Sequence, residues 1–203
     1  MSKYIDKIFY INLNHRTDRR QEIETELKSF NLEAERFEGI SVPNQGILGC
    51  GRSHLQVLKI AKERGYKNVL ILEDDFEFLV SKTEFEHLLE SFFKQQISYD
   101  VLFLSYAAIQ NEAIPNQEII RRGLEVQTAS GYIVANHYYD SLISLYEWAM
   151  PLLETTQEHW NYANDQVWKS LQPNDRWYYF VTRIGKQRKS FSDNALIETD
   201  YNH

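Results

Sequence analysis

Short apolar runs alternate with amphipathic stretches along the first half of the chain. Lys7-Ile8-Phe9-Tyr10-Ile11-Asn12-Leu13 is rich in β-branched and aromatic residues and predicts a first strand. Ile23, Leu27 and Phe30 then recur at helical spacing, with Thr17 or Asn14 available as a cap. A short extended piece is expected around 36–38. A glycine-rich loop follows over 39–51, and then a helix over about 53–64 that ends at Gly65. Val69-Leu70-Ile71-Leu72 reads as a strand buried on both faces. Residues 83–95 place Phe85, Leu88, Leu89 and Phe92 on one side of a helix, and 101–104 form another short buried strand.

The second half is less regular. Residues 109–122 are polar and predict a flexible loop, and 131–134 a strand. Asn136 is placed to cap a helix reaching Leu145 and Tyr146. Asn164 or Asp165 is placed to cap another that carries Val167, Trp168 and Leu171. A late strand is expected over 177–182, and 185–203 should fold back over the domain or fray. Strands alternating with helices over the first 105 residues imply βαβ units and a mostly parallel sheet, in a single α/β domain over 1–203.

Composition narrows the chemistry. The 203 residues are 43% hydrophobic and 25% charged, an ordinary globular balance. A net charge of −7 argues against a nucleic-acid partner and against electrostatic binding to an anionic membrane. Met1 to Lys7 contains an acid and no apolar core follows, so no signal peptide is expected. No apolar run is long enough for a transmembrane helix, and a soluble, cytoplasmic or cytoplasmic-facing protein is expected. The single Cys50 argues against an internal disulfide framework and against any Cys-based zinc site.

Glu73-Asp74-Asp75 stands directly after the dry strand and must emerge at its carboxyl end, where open α/β sheets bind ligands. Oxygen ligands there suit a hard divalent cation that keeps waters and substrate phosphates. An acidic strand exit or a helix cap would use the same residues. Arg16 and Arg19 follow the first strand on the same rim and could grip a diphosphate, or simply pair with Asp18 in a first helical turn. Rossmann and Walker patterns are absent. Cys50 and His54, four apart, would share a helix face, but nothing announces the oxyanion hole or third group of a thiol protease, and a buried Cys with a hydrogen-bonded structural His is the better expectation.

The ordered set Tyr10-Ile11-Asn12-Leu13 with Arg16 and Arg19, Gly49-Cys50 with Ser53-His54, Leu70-Ile71-Leu72-Glu73-Asp74-Asp75, Tyr99-Asp100-Val101-Leu102, Ala129-Ser130-Gly131-Tyr132-Ile133-Val134, Asp165 and Gln187 resembles glycosyltransferase family 25. That family includes bacterial lipooligosaccharide galactosyltransferases and collagen hydroxylysine galactosyltransferases. The resemblance implies a single-domain A-type glycosyltransferase fold, with a nucleotide-sugar-binding half over 1–105 and an acceptor-side half with a C-terminal segment over 106–203. It implies an inverting transfer of galactose or glucose from a UDP-hexose to a glycan or hydroxylysine-type acceptor, with Mn2+ or Mg2+.

On this resemblance Glu73 and Asp75 are the metal ligands in a DxD-like motif, since alternate residues of an extended segment share a face. Asp165 is the catalytic base. Asn12, Arg16, Arg19, Ser53, His54, Asp74 and Gln187 serve the donor. The competing readings are a nucleotidyl- or phosphoryl-transfer enzyme, which would want a Gly-Lys phosphate loop, and an inactive transferase-like glycan- or nucleotide-binding module.

Overall fold

The computed structural model describes residues 3–192 and 197–199. One eight-stranded sheet runs through it, built from β1 (Lys7–Asn12), β2 (Glu35–Glu38), β3 (Asn68–Glu73), β5 (Val101–Phe103), β6 (Ala107–Ala113), β7 (Ile120–Gln127), β8 (Gly131–Ala135) and β9 (Trp177–Phe180). β4 (Phe76–Phe78) lies outside it and pairs antiparallel with β10 (Gly185–Gln187). The strand order is β2-β1-β3-β8-β5-β9-β7-β6. Its pairings give six strands running one way, with β7 and β8 reversed. The sheet is thus mostly parallel in direction. The reversed β8 splits the parallel runs and joins residues of the second half directly to β3.

Alternation within the central strands divides the core between the two faces. Ile8, Tyr10, Leu70, Leu72, Leu102 and Ile133 pack on one face, toward α1 (Thr17–Ser29) and α3 (Lys82–Lys94). Phe9, Ile11, Val69, Ile71, Val101 and Val134 pack on the other, toward α2 (Gly46–Glu63) and α4 (Tyr139–Thr156). The latter face also holds Trp168, Trp177, Phe103 and Tyr132, in mutual ring contacts between 5.3 and 5.6 Å. No helix among the described residues is long and apolar enough to cross a membrane.

The elements differ from the sequence expectation at five places. The second part of the expected glycine-rich loop is helical, because α2 starts at Gly46. Its glycines serve close packing instead of turning. A Cβ on Gly49 would lie 2.3 Å from the Ile40 carbonyl oxygen, and one on Gly51 2.5 Å from the Met150 sulfur. The expected polar loop over 109–122 is the β6–β7 hairpin. β6 is an exposed edge strand, so it carries no hydrophobic alternation for sequence reasoning to find.

Neither Thr17 nor Asn14 caps α1; the cap position is Arg16, without a side-chain hydrogen bond. Asn136 opens a 3-10 turn over Asn136–Tyr138 and makes no cap bond there, and α4 runs on to Thr156. The helix expected after Asp165 is two short pieces, α6 (Asn164–Val167) and a 3-10 turn over Trp168–Ser170, preceded by α5 (His159–Tyr162). The tail folds back as far as β10, and Ser190–Ser192 pairs with Ile197–Thr199. Residues 193–196 and 200–203 lie outside the described residues.

Candidate functional site

The carboxyl ends of β1 and β3 lie side by side, because the two strands pair in parallel with Ile11 opposite Glu73. Side chains that leave these ends meet on one rim. Asn12, 1% exposed, donates from Nδ2 to Asp74 Oδ2 at 2.7 Å and to the Arg16 carbonyl at 2.9 Å. Arg36 donates from Nε to Asn12 Oδ1 at 3.0 Å, which fixes the amide's orientation. Arg19, in the first turn and a half of α1, bridges two acids. Its guanidinium lies 3.1 Å from Asp74 Oδ1 and 3.2 Å from Asp75 Oδ2.

The alternate-face expectation for the triplet stops at Glu73. β3 ends there and Asp74-Asp75 form a turn, so these two acids share Arg19 instead of pointing apart. Glu73 turns to α2 instead. Its Oε1 accepts from His54 Nε2 at 3.0 Å and from the Cys50 thiol at 3.4 Å. His54 is fully buried, and its Nδ1 shares a 2.8 Å hydrogen bond with the Tyr132 hydroxyl on β8. Gln187 on β10 sits opposite Phe76, near enough to the Asp75 carboxyl to oppose the rise of its pKa.

The three acids are shifted unequally. Burial opposes ionisation of Glu73, but hydrogen bonds from His54 and Cys50 hold it below the usual carboxylate range. Burial raises Asp74 against the pull of Arg19 and Asn12. Asp75 goes furthest: burial, reinforced by the Glu73 charge, pushes it from 3.8 up to about 8. Its Oδ1 is buried and has no hydrogen-bond partner among the described residues.

Asp165 approaches from the other side, at the start of α6. The simple cap reading of this residue fails, because the N-cap position is Ala163 and Asp165 makes no cap bond. Its carboxylate turns outward from the helix. Oδ2 accepts from the Thr128 backbone N–H at 3.2 Å and Oδ1 from Gln166 Nε2 at 3.2 Å. Burial raises its pKa, and the charge of Glu73 adds to the rise, which puts the two acids in one electrostatic neighbourhood. Thr128 itself has φ +86, in the left-handed region that a β-branched residue rarely adopts. Such backbone costs of order 1–3 kcal/mol and is retained where its surroundings over-determine it. Here it aims an N–H at Asp165.

Two expected donor residues sit differently. Ser53 is 1% exposed, and its hydroxyl donates to the Gly49 carbonyl and accepts from the Ile40 N–H at 2.8 Å, tying α2 to the loop before it. The Arg16 side chain pairs with Asp18 at 2.9 Å, and its backbone carbonyl serves Asn12. Sequence reasoning missed Thr128 and Tyr132 as site partners. Nothing local marks either one, since each enters only through the β7–β8 connection and β8 itself. Cys50 and His54 share the helix face that their four-residue spacing predicts, and both reach Glu73.

No family model matches the chain. Among curated proteins it is 30% identical over 145 residues to procollagen galactosyltransferase 2 of Mus musculus, covering 55% of this chain and 23% of that one. It is 24% identical over 155 residues to probable inactive glycosyltransferase 25 family member 3 of Bos taurus, covering 63% and 25%. The chain spans about a quarter of the length of the curated relatives it matches. Among solved structures, a glycosyltransferase involved in the glycosylation of the major capsid of PBCV-1 aligns with a TM-score of 0.53 and 10% identity. That alignment covers 92% of this chain and 93% of that one. The A-type glycosyltransferase fold is therefore shared, and the sequence relationship runs to glycosyltransferase family 25.

Proposed function

We propose that this chain is a metal-dependent, inverting hexosyltransferase. It moves galactose or glucose from a UDP-sugar to a hydroxyl of a glycan or hydroxylysine-type acceptor. The observation that carries this reading is the Asp74-Asp75 turn, where one guanidinium spans two acids and a buried Asp75 oxygen has no partner. A carboxyl driven to about 8 by burial and neighbouring charge is poised to ionise when a cation arrives. The all-oxygen set of Glu73 and Asp75 fits Mn2+ or Mg2+. Such an ion, when bound, supplies a Lewis acid for the diphosphate leaving group.

The chain's own residues would divide the remaining work. Arg19 is anchored by Asp74 and Asp75 and offers positive charge on the rim where the diphosphate would lie, with Arg16 beside it. Asn12, His54 and Gln187 hold the carboxylates in place, and Ser53 fixes the α2 loop on the donor side. Asp165 would take the proton of the acceptor hydroxyl as its oxygen bonds to the anomeric carbon. The bond from that carbon to the phosphate oxygen breaks, and its electron pair leaves with UDP. A base whose pKa is raised by burial accepts that proton more readily near neutral pH. On this reading residues 1–105 form the donor half and 106–203 the acceptor side.

The bovine relative's name, which includes "inactive", keeps a binding module as the second reading. Here Glu73, Asp74, Asp75 and Asp165 are all present, which favours turnover. The test is UDP release from UDP-galactose and UDP-glucose with Mn2+, with and without chelator. Release that needs metal and disappears in Asp75→Ala supports the transferase. Failure to bind any UDP-sugar by calorimetry overturns it, and glycan binding without turnover supports the module.

A further inference from the structure

Beside the oxygen set lies a second group with different donor chemistry. Cys50 and His54 stand one helical turn apart on α2, and both face Glu73 at the end of β3. One ligand atom from each, a sulfur, an imidazole nitrogen and a carboxylate oxygen, lies within 4.8 Å of the others. We propose that Cys50 Sγ, His54 Nε2 and Glu73 form a binding site for a borderline-soft divalent cation of the zinc class. Its fourth position is left to water or a substrate oxygen. The site shares Glu73 with the oxygen set proposed above, but Cys50 and His54 are ligands of this site alone and its assignment does not depend on the transferase reading.

The geometry carries the assignment. Zinc bonds of about 2.3 Å to sulfur and 2.0–2.1 Å to nitrogen or oxygen, at tetrahedral angles, put sulfur and oxygen about 3.5 Å apart and nitrogen and oxygen about 3.3 Å apart. The thiol stands 3.4 Å and the imidazole 3.0 Å from Glu73 Oε1, so two of the three separations lie close to the tetrahedral values, and the sulfur and nitrogen lie within 4.8 Å of each other. The histidine also has the outer partner that metal-binding imidazoles use. Tyr132 holds Nδ1 at 2.8 Å and thereby aims Nε2 into the group. Cys50 is part-exposed.

Binding exchanges hydrogen bonds for metal bonds. The S–H bond gives its proton to solvent as the sulfur–metal bond forms. The neutral imidazole changes tautomer: its one N–H proton moves by way of solvent from Nε2, which then coordinates through its lone pair, to Nδ1, which donates it to the Tyr132 hydroxyl. One cysteine cannot build a multi-thiolate zinc site. A mixed set with one thiolate, one imidazole and one carboxylate needs no second cysteine.

Cobalt(II) titrated into the metal-free full chain is the test. A thiolate-to-cobalt charge-transfer band at one ion per chain is expected, absent in Cys50→Ser and retained in Asp75→Ala. Zinc should displace the cobalt and protect Cys50 of the wild type from alkylation. Tyr132→Phe, which keeps the ring, should weaken zinc binding by about 10–100-fold. Lack of the band at saturating cobalt, or its persistence in Cys50→Ser, overturns the site. Loss of the band in Asp75→Ala overturns the ligand assignment. Alkylation of the wild type read with and without zinc keeps the test decisive should Cys50→Ser fold poorly. A chain that shows the band yet binds no UDP-sugar retains this site and loses the transferase reading.

Discussion

Asp75 and Asp100 are both buried aspartates at strand ends, and they are handled in opposite ways. Asp100 stands just before β5, at its amino end. Arg176 donates to its Oδ2 from the backbone N–H at 2.7 Å and from Nε at 3.1 Å, and His137 Nε2 lies 2.7 Å from Oδ1. Burial works against ionisation there, yet these partners hold the carboxyl below its usual range. Asp75 stands just past β3, at the carboxyl end. It shares Arg19 with Asp74, keeps an unpartnered oxygen and is pushed up to about 8. One acid is compensated inside the chain. The other is compensated incompletely, and that shortfall sits on the rim where α/β sheets bind ligands.

Asp165→Asn tests the active side of this contrast and has the largest expected effect. Loss of a positioned general base should lower kcat by about 10²–10⁴-fold, with UDP affinity nearly unchanged by calorimetry. Wild-type values for both would remove Asp165 from the base role. Arg176→Ala tests the compensated side. It takes the guanidinium from the Asp100 carboxylate but leaves the backbone N–H and His137, which costs about 1–3 kcal/mol in denaturant unfolding; the lower half is expected because these partners remain and Arg176 is itself about half exposed. The kcat of the folded protein should not change. A fall in kcat at unchanged stability would break the comparison.

The smallest effect is a difference in pH slope. Asp75 has a folded pKa above its unfolded 3.8, so its contribution favours the fold in acid. That contribution declines as pH rises from about 4 to about 8. Asp100 has a lowered pKa, so its contribution is full above the unfolded 3.8 and is lost as pH falls below it. Melting temperatures of the metal-free protein should therefore flatten between pH 5 and 8 in Asp75→Asn and lose their acid limb in Asp100→Asn. Manganese affinity should rise over the same interval, since the ion binds the deprotonated Asp75. An affinity independent of pH would exclude Asp75 as a ligand.

Much of the sheet was legible because buried strands and amphipathic helices carry period 2 and period 3.6. β1, β3, β5 and α3 fall within a residue or two of expectation. β6 was not legible, since an exposed edge strand has no buried face to mark it. The carboxylate triplet and Arg19 were legible as a rim, because strand direction alone puts them at carboxyl ends. Which acids pair was not, because alternation ends where β3 gives way to the turn. Asp165 reads locally as a cap, and only the β7–β8 connection with its Thr128 N–H shows it engaged elsewhere.

The sequence by itself determined the α/β class, the family resemblance and the acids at the end of β3, all matters of local order along the chain. Tertiary structure decided the antiparallel insertion of β8 and, through it, the His54–Tyr132 hydrogen bond. It also decided the approach of Asp165 and the unequal ionisation of three adjacent carboxylates. Those outcomes depend on burial and on partners 19 to 78 residues away in the chain, which no local pattern encodes.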